Sequence, residues 1–218
     1  MSKNFKGYMG DQIGKLGTAV GSRWKGKMIY RAYQGKVRNP KSDAQVLVRA
    51  RLSLLSKLAT VFMPVIGIGM RSGANKRQMT QGNLFVKLNQ AAVTGNAGSL
   101  TADYATLKVS DGELMGVSIG TPSYSTPLHV TATVTANNHG TWGTSMNDKV
   151  YLAAYCPDEN QAACSAAVAR GEEDETPTLD LTVPTTWQGL RVYVYAFVVS
   201  ADGRNTSASM NLGYGDIA

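Results

Sequence analysis

The chain has 218 residues, enough for one large or two small domains, and its 43% hydrophobic content excludes a wholly disordered protein. It contains 22 Lys and Arg against 15 Asp and Glu, a net charge of +7. The longest apolar run, residues 61–70, is interrupted by proline and glycine, whereas a membrane-spanning helix needs about 20 apolar residues. The sequence therefore predicts a soluble protein without an export signal or a membrane anchor.

Charge is divided unequally along the chain. Residues 1–78 contain sixteen Lys or Arg against two acids, a net charge of +14. The other 140 residues contain six basic and thirteen acidic residues, a net charge of −7. Because concentrated like charge repels itself, this division indicates an oppositely charged partner, either nucleic acid or the acidic part of a neighbouring copy. A solvated segment that only increases solubility is the remaining interpretation.

The first 35 residues contain seven glycines, five of them at spacings of three and four. Those spacings would place the five on one helix face, but each interior glycine costs about 0.5–1 kcal/mol relative to alanine. An irregular or strand-like arm is therefore favoured. From Ser22 onwards aromatic residues alternate with Arg and Lys, which predicts a short hairpin with turns near Gly26 and Gly35. The aromatic residues are Trp24, Tyr30 and Tyr33.

A helical segment follows the arm. Ser42 or Asp43 can cap a helix of about five turns, which should end or bend at Pro64. Its apolar stripe, about 28 Å long at 1.5 Å per residue, must pack on the β region or on a neighbouring copy, and the second option predicts an oligomer. A shorter helix is expected between Thr80 and Gly95. The stripe of the first helix consists of Leu47, Ala50, Leu54, Leu58, Val61 and Val65.

From about residue 100 the apolar period changes to two, the period of a strand. Seven short segments predict an antiparallel β-sandwich of immunoglobulin or fibronectin type, with Tyr193 or Tyr195 as its buried tyrosine. The fold class is thus α+β, with an arm and hairpin (1–38), a helical segment (39–98) and the sandwich (99–218). The segments span residues 109–120, 127–136, 149–156, 162–170, 177–184, 189–200 and 207–214.

No pattern of catalytic or cofactor-binding residues is present. GIGMRSG at residues 67–73 is one residue longer than GxGxxG and follows a helix instead of a strand, so we expect no nucleotide site. His129 and His139 have no motif-linked nucleophile, and neither lies near a cysteine. The acidic run at 172–175 is interpreted as a solvated turn, with weak divalent-cation binding as the alternative. We expect no enzyme and no cofactor.

The two cysteines, Cys156 and Cys164, lie eight positions apart in a predicted strand–loop–strand. We expect reduced thiols, with a disulfide as the alternative.

Two amino-terminal motifs resemble an uncharacterised family. They are VGSxWKG at residues 20–26 and NPxSxxQxxxR at residues 39–49. The likeness extends over nearly the whole chain, to the closing VYAFVVSADGRNTSASMNLG. The family occurs in Bacteroidota genomes, many of them prophage-bearing, and in their phages. The resemblance implies a phage or mobile-element origin, use as a virion or assembly component and a fibronectin-like carboxy-terminal region. It implies no activity and no catalytic residues.

Together these observations predict a non-enzymatic structural protein of a bacteriophage or phage-like particle, made in the host cytoplasm and assembled in many copies. Its expected partners are copies of itself and other virion proteins, with DNA as a further candidate, and neither a membrane nor a small-molecule substrate. The alternatives are an intracellular nucleic-acid-binding accessory protein and a surface or glycan-binding fibronectin-like module. The residues predicted to contact nucleic acid or a subunit are Lys15, Arg23, Trp24, Lys25, Lys27, Arg31, Lys36, Arg38, Arg49 and Arg51.

Overall fold

The computed structural model describes residues 3–4, 12–36, 41–137, 143–172 and 174–218. The chain forms two compact units, Met1–Ser42 and Asp43–Ala218. The second unit contains helices and antiparallel sheets, so the predicted α+β class is confirmed.

The first unit is an antiparallel sheet with the strand order β1-β2-β3-β4. The last two strands form a hairpin that turns at Lys25 and Gly26, which confirms the turn predicted near Gly26. The arm therefore adopts the strand-like form that its glycines favoured. The strands are β1 (Lys3–Asn4), β2 (Gln12–Leu16), β3 (Ala19–Trp24) and β4 (Lys27–Ala32).

The second unit begins with four helices. The first ends before Pro64, and the first two are bent by 83° relative to each other, as the proline predicted. Thr80 caps the fourth helix, because its hydroxyl accepts a hydrogen bond from the Asn83 amide at 3.2 Å. The helices are α1 (Asp43–Val61), α2 (Met63–Gly69), α3 (Arg71–Lys76) and α4 (Gln81–Leu88).

The buried face of α1 differs from the predicted stripe. The buried face is confined to the carboxy-terminal half of the helix, since no residue of α1 before Leu55 is buried. Leu47 and Leu54, which belonged to the predicted stripe, are only half-buried. Periodicity could not choose between Leu54 and Leu55, because both are apolar and adjacent. The buried side chains are Leu55, Leu58 and Ala59, followed by Phe62 and Val65 in the next turns.

The helices are followed by a short hairpin and two larger sheets. The hairpin consists of β5 (Val93–Asn96) and β6 (Ser99–Ala102), which the sequence did not predict. A three-stranded sheet has the order β12-β8-β7, and a five-stranded sheet has the order β10-β9-β13-β14, with β11 also paired to β9. Every one of the seven predicted segments contains a strand. These are β7 (Ser118–Ile119), β8 (His129–Ala136), β9 (Lys149–Cys156), β10 (Gln161–Cys164), β11 (Val168–Ala169), β12 (Thr178–Thr182), β13 (Arg191–Val199) and β14 (Met210–Asp216).

Strands β9 and β13 are buried on both faces. Tyr155, Tyr195 and Phe197 belong to a cluster that they share with the helices, in which the Phe62 ring lies 4.8 Å from the ring of Tyr155. The alternate residues of β9 and β13 belong to a second cluster with side chains of the three-stranded sheet and with Trp187. The helices and both sheets therefore depend on the same two central strands.

The two cysteines lie on opposite faces of the five-stranded sheet. Cys156 belongs to the second cluster, whereas Cys164 packs against the first. The strand register places Cys156 opposite Gln161 and Cys164 opposite Ala153. Both thiols are free, and burial raises the pKa of Cys164 to about 11, which disfavours its reactive thiolate.

A buried ion pair links several loops of the second unit. Arg170 and Asp148 are almost fully buried, and the Arg170 Nη1 lies 3.6 Å from the Asp148 Oδ2. Asp148 also accepts hydrogen bonds from the amides of Ser145 (3.0 Å) and Ala201 (3.1 Å), and Arg170 donates to the Met115 carbonyl. Burial lowers the pKa of Arg170, and Asp148 opposes that shift. The pair therefore holds together the segments that contain Met115, Asp148, Arg170 and Ala201, which are distant from one another in the sequence.

Gly112 marks a close approach between two backbone segments. A Cβ atom at this position would lie 1.9 Å from the backbone oxygen of Thr206. We expect Gly112→Ala to lower the free energy of unfolding by about 1–3 kcal/mol, because the segments must separate. Gly67→Ala is the control, since a Cβ there meets no atom within 4 Å and the helix should gain up to about 1 kcal/mol. Denaturant unfolding measures both, and equal stability of the two variants would contradict this packing.

Buried tyrosines should make the fold sensitive to alkali. Burial raises the pKa of Tyr124 from 10.0 to about 12, and burial also raises the pKa values of Tyr155 and Tyr195. Because the raised pKa favours the neutral form in the folded state, the stability from these groups is full below pH 10 and is lost as pH rises through the folded pKa. We expect denaturant-measured stability to fall from about pH 10 upwards, because the unfolded chain then ionises tyrosines that stay neutral in the fold. Constant stability to about pH 12 would contradict this burial.

Candidate partner-binding surfaces

Two tight turns fix the hairpins of the amino-terminal sheet. Lys25 and Gly26 both have positive φ, 44° and 80°, as a type I′ turn requires. Gly17, with φ 56°, begins the two-residue turn between β2 and β3. Type I′ geometry matches the right-handed twist of paired strands, and glycine reaches positive φ without steric cost. Local sequence therefore sets the order of β2, β3 and β4.

The strand register separates the exposed side chains of this sheet into two faces. Lys15 lies opposite Val20, which lies opposite Arg31, and Trp24 lies opposite Lys27. Directly opposed residues share a face, and residues two positions apart along a strand share it too. We call this surface the basic face. It comprises Ile13, Lys15, Val20, Ser22, Trp24, Lys27, Ile29 and Arg31, with Tyr33 just beyond β4.

Cations and aromatic rings are close together on the basic face. The Lys15 ammonium lies 3.8 Å from the centre of the Tyr33 ring, within the range of a cation–π contact. Trp24 is 46% exposed and Tyr33 is 48% exposed. Residues 12–36 contain six Lys or Arg and no Asp or Glu, so this stretch does not neutralise its own charge. The basic face is thus suited to an anionic ligand with planar groups.

The opposite surface is the apolar face, formed by Leu16, Ala19, Gly21, Met28, Tyr30 and Ala32, with Arg23. Leu16 is 46% exposed and Tyr30 is 55% exposed. Gly21 is buried, and a Cβ there would lie 2.0 Å from the Gln12 carbonyl oxygen. Within residues 12–36 no other residue is buried. The sheet therefore lacks a core of its own.

The structure does not bring all the predicted contact residues to one surface. Arg23 lies on the apolar face, Lys25 in the β3–β4 turn and Lys36 beyond β4, while Arg38 lies outside the described residues. Arg49 and Arg51 belong to α1 in the second unit. The predicted residues that share the basic face are Lys15, Trp24, Lys27 and Arg31.

The second unit contains an apolar groove that the sequence did not predict. It has a volume of 340 Å³ and lies between α1 and α4, where Val48 (63% exposed) and Leu52 (52% exposed) line it with Val86. Arg51 also lines the groove, and its buried Nε has no hydrogen-bond partner. The spacing of Val48 and Leu52, four residues apart, could have indicated this second apolar stripe.

Two cations of the basic segment are paired within the second unit. Lys76 binds Glu113 and Arg77 binds Asp111. The hydrogen bond from Lys76 lowers the pKa of Glu113. The charge excess inferred for residues 1–78 is therefore partly neutralised at the carboxy-terminal end of α3.

Among the described residues, those considered for catalysis or metal binding are not gathered into one metal-binding cluster. In the described ranges, no three His, Cys, Asp or Glu side chains could hold one metal ion. His129 Nδ1 lies 2.8 Å from the Asp180 carboxylate on the adjacent strand. His139 and Glu173 lie outside the described residues. The Glu175 carboxylate accepts a hydrogen bond from the Glu172 amide at 3.0 Å, so it stabilises its own turn.

No single helix in the described part of the chain is long and apolar enough to span a membrane. Within the described residues, α1 and α2 taken together across their 83° bend meet that criterion of length and composition.

Comparison with known proteins gives a family but no activity. No curated protein and no solved structure matches the chain. The sequence pattern of a family of unknown function, DUF6266, matches residues 10–213, which is almost the whole chain. The chain therefore belongs to the DUF6266 family.

Proposed function

We propose that this chain is a non-enzymatic structural protein of a bacteriophage or phage-like particle, and that its copies assemble through the apolar face of the amino-terminal sheet. The observation that supports assembly most directly is that this sheet lacks a core: within residues 12–36, Gly21 alone is buried. A small sheet is stable in water when a hydrophobic face is covered. Neighbouring copies can supply that cover.

The edges of the same sheet favour association too. Strand β4 pairs with β3 and, among the described residues, with no other strand. An exposed edge strand presents unpaired amide and carbonyl groups, which natural proteins usually block or pair with another chain. The apolar face and the β4 edge therefore favour assembly into a ring or shell, in which repeated copies cover both.

The phage context rests on the resemblance of the VGSxWKG and NPxSxxQxxxR motifs to proteins of Bacteroidota phages and prophage-bearing genomes. Virion proteins are made in many copies, which suits a chain with an uncovered sheet. A particle component also has to bind other copies rather than transform a substrate. We therefore assign the chain to the virion.

We also propose a fibronectin-like β-sandwich for residues 99–218. Side chains from the three-stranded and five-stranded sheets meet in one apolar cluster that includes Trp187. If β7, β8, β9, β12, β13 and β14 are lettered A, B, C, E, F and G, the sheets read E-B-A and C-F-G, with β10 added beside C. Immunoglobulin-like sandwiches divide their strands between two sheets in this manner.

One tyrosine differs from the immunoglobulin pattern. Tyr195 on β13 is buried, as the sequence predicted, but its hydroxyl donates to the Tyr104 carbonyl at 2.6 Å, 91 residues upstream. In the tyrosine corner of antibody-like domains, the hydroxyl bonds to the backbone only a few residues upstream. Here the hydroxyl instead ties β13 to the segment that follows the β5–β6 hairpin.

Substitutions on the apolar face test the assembly proposal. We expect Leu16→Asp combined with Tyr30→Asp to reduce the oligomer to monomers, because charges on this face oppose its burial. Met63→Asp is the control, since Met63 is similarly exposed (48%) but belongs to the second unit. Light scattering after size-exclusion chromatography gives the masses. An unchanged oligomer in the double variant would show that the apolar face is not the contact.

A further inference from the structure

The basic face combines positive charge with exposed aromatic rings on one side of a sheet. Lys15, Lys27 and Arg31 provide the charge, and residues 12–36 contain no carboxylate. A phosphate backbone is attracted to such a surface, because bound cations release condensed counterions from the nucleic acid. Charge alone does not distinguish a single strand from a duplex.

The aromatic residues make that distinction. Trp24 lies opposite Lys27 and Tyr33 lies against Lys15, so each ring has a cation beside it, and both rings are about half exposed. Single-stranded nucleic acid stacks its free bases on aromatic side chains while its phosphates bind nearby cations. The bases of a duplex are already stacked on each other and offer no free face.

We propose that the basic face binds single-stranded nucleic acid without sequence preference, with a base stacked on Trp24 and the phosphates bound by Lys15, Lys27 and Arg31. This inference builds on the proposed function, because it names the partner of the sheet whose opposite face binds neighbouring copies. The two claims concern different faces and different measurements. If the unmodified protein forms the oligomer but does not bind nucleic acid, only the inference is overturned.

The other candidate for this face is the acidic segment of a neighbouring copy. It would satisfy the charge, but residues 171–178 contain no aromatic group that could stack on the exposed rings of Trp24 and Tyr33. In the acidic segment itself, the Glu175 carboxylate is already hydrogen-bonded to the Glu172 amide. Single-stranded nucleic acid accounts for both the charge and the rings.

The first test uses the unmodified protein and a fluorescently labelled oligothymidine, with a duplex of the same length as the comparison. Fluorescence anisotropy should show tighter binding of the single strand. For three phosphate contacts the logarithm of affinity should fall with the logarithm of salt with a slope of about −2, roughly a 20-fold loss between about 50 and 200 mM. Equal or tighter binding of the duplex, or no binding at the lower salt, would overturn the proposal.

Matched substitutions on the basic face and in the second unit form the second test. Combined Lys15→Glu, Lys27→Glu and Arg31→Glu should weaken oligothymidine binding by about tenfold or more. The control is the combination of Lys57→Glu, Lys87→Glu and Lys108→Glu, three exposed lysines of the second unit, which should have a much smaller effect. Trp24→Ala should weaken binding by about fivefold or more, the loss expected for one stacked base. Its control is Tyr214→Ala, an aromatic residue of the second unit that is 58% exposed.

The oligomer mass is measured for every variant, and circular dichroism checks that each one folds. If the triple charge reversal changes the oligomer mass and leaves oligothymidine affinity unchanged, the basic face binds an acidic neighbour and the inference is wrong. Equal losses in Trp24→Ala and Tyr214→Ala would also overturn it, because binding would then not depend on the basic face.

Discussion

Replacing Arg170 by methionine is expected to lower the free energy of unfolding by about 3–5 kcal/mol, which makes it one of the most damaging single changes in the chain. The methionine fills much of the same volume but leaves the Asp148 carboxylate buried without its counter-charge. It also removes the donor to the Met115 carbonyl. Removing one partner of a buried ion pair costs far more than the pair contributes, because the remaining charge keeps its desolvation penalty.

Two comparisons make this prediction specific. Arg191→Met breaks the exposed ion pair of Arg191 (55% exposed) with Asp216 (62% exposed). It should lower the free energy of unfolding by no more than about 1 kcal/mol. The double variant Arg170→Met with Asp148→Asn should lose less stability than the sum of its single variants, since no buried charge remains. Denaturant unfolding measures the unmodified protein, the three single variants and the double variant. Strict additivity would show that the two residues do not interact.

Phe62→Ala is the second change with a large expected effect, about 3–5 kcal/mol. Phe62 is fully buried between helix and sheet, with ring centres 4.8 Å from Tyr155, 5.5 Å from Phe85 and 6.0 Å from Tyr195. Truncation to alanine removes these contacts and leaves a cavity that a close-packed core fills only partly.

The neighbouring Met63 supplies the control for this cavity. It is 48% exposed, so Met63→Ala should change stability by no more than about 0.5 kcal/mol. A single cooperative transition in Phe62→Ala, shifted to lower denaturant, would agree with one core shared by the helices and the five-stranded sheet. A loss below about 1 kcal/mol would show that the helices contribute little to that core.

The elements with a clear period were predictable from the sequence. Helix α1 and its end before Pro64 followed from apolar spacing and from the proline that interrupts the helical hydrogen bonds. The strands of the carboxy-terminal region followed from short Val- and Thr-rich segments between turn residues. Helix α3 was missed because six residues that include Gly73 show no helical period.

Features that depend on register or on distant contacts were not predictable. Strand β13 is apolar along nearly its whole length, so its sequence shows that it is central but not which residues face the helices. The division of the amino-terminal sheet into two faces requires the pairing of Lys15 with Val20 and of Trp24 with Lys27. Nothing near Arg170 in the sequence indicates that Asp148, in a different loop, neutralises it.

The candidate site was therefore predicted by composition but not by arrangement. The basic amino-terminal segment and its aromatic residues were recognised from composition. The predicted contact residues, however, belong to two units and to both faces of the sheet. Separating the faces assigns different roles to Trp24 and Tyr30, which have similar exposure and both lie near cations in the sequence. That difference follows from alternation along paired strands.

The molar mass of the unmodified chain in solution tests the central claim most directly. Light scattering after size-exclusion chromatography should give a multiple of 23.2 kDa that persists at about 1 M salt, because the Debye length there is about 3 Å and apolar burial does not depend on charge attraction. A single species of 23.2 kDa at both low and high salt would contradict assembly through the amino-terminal sheet.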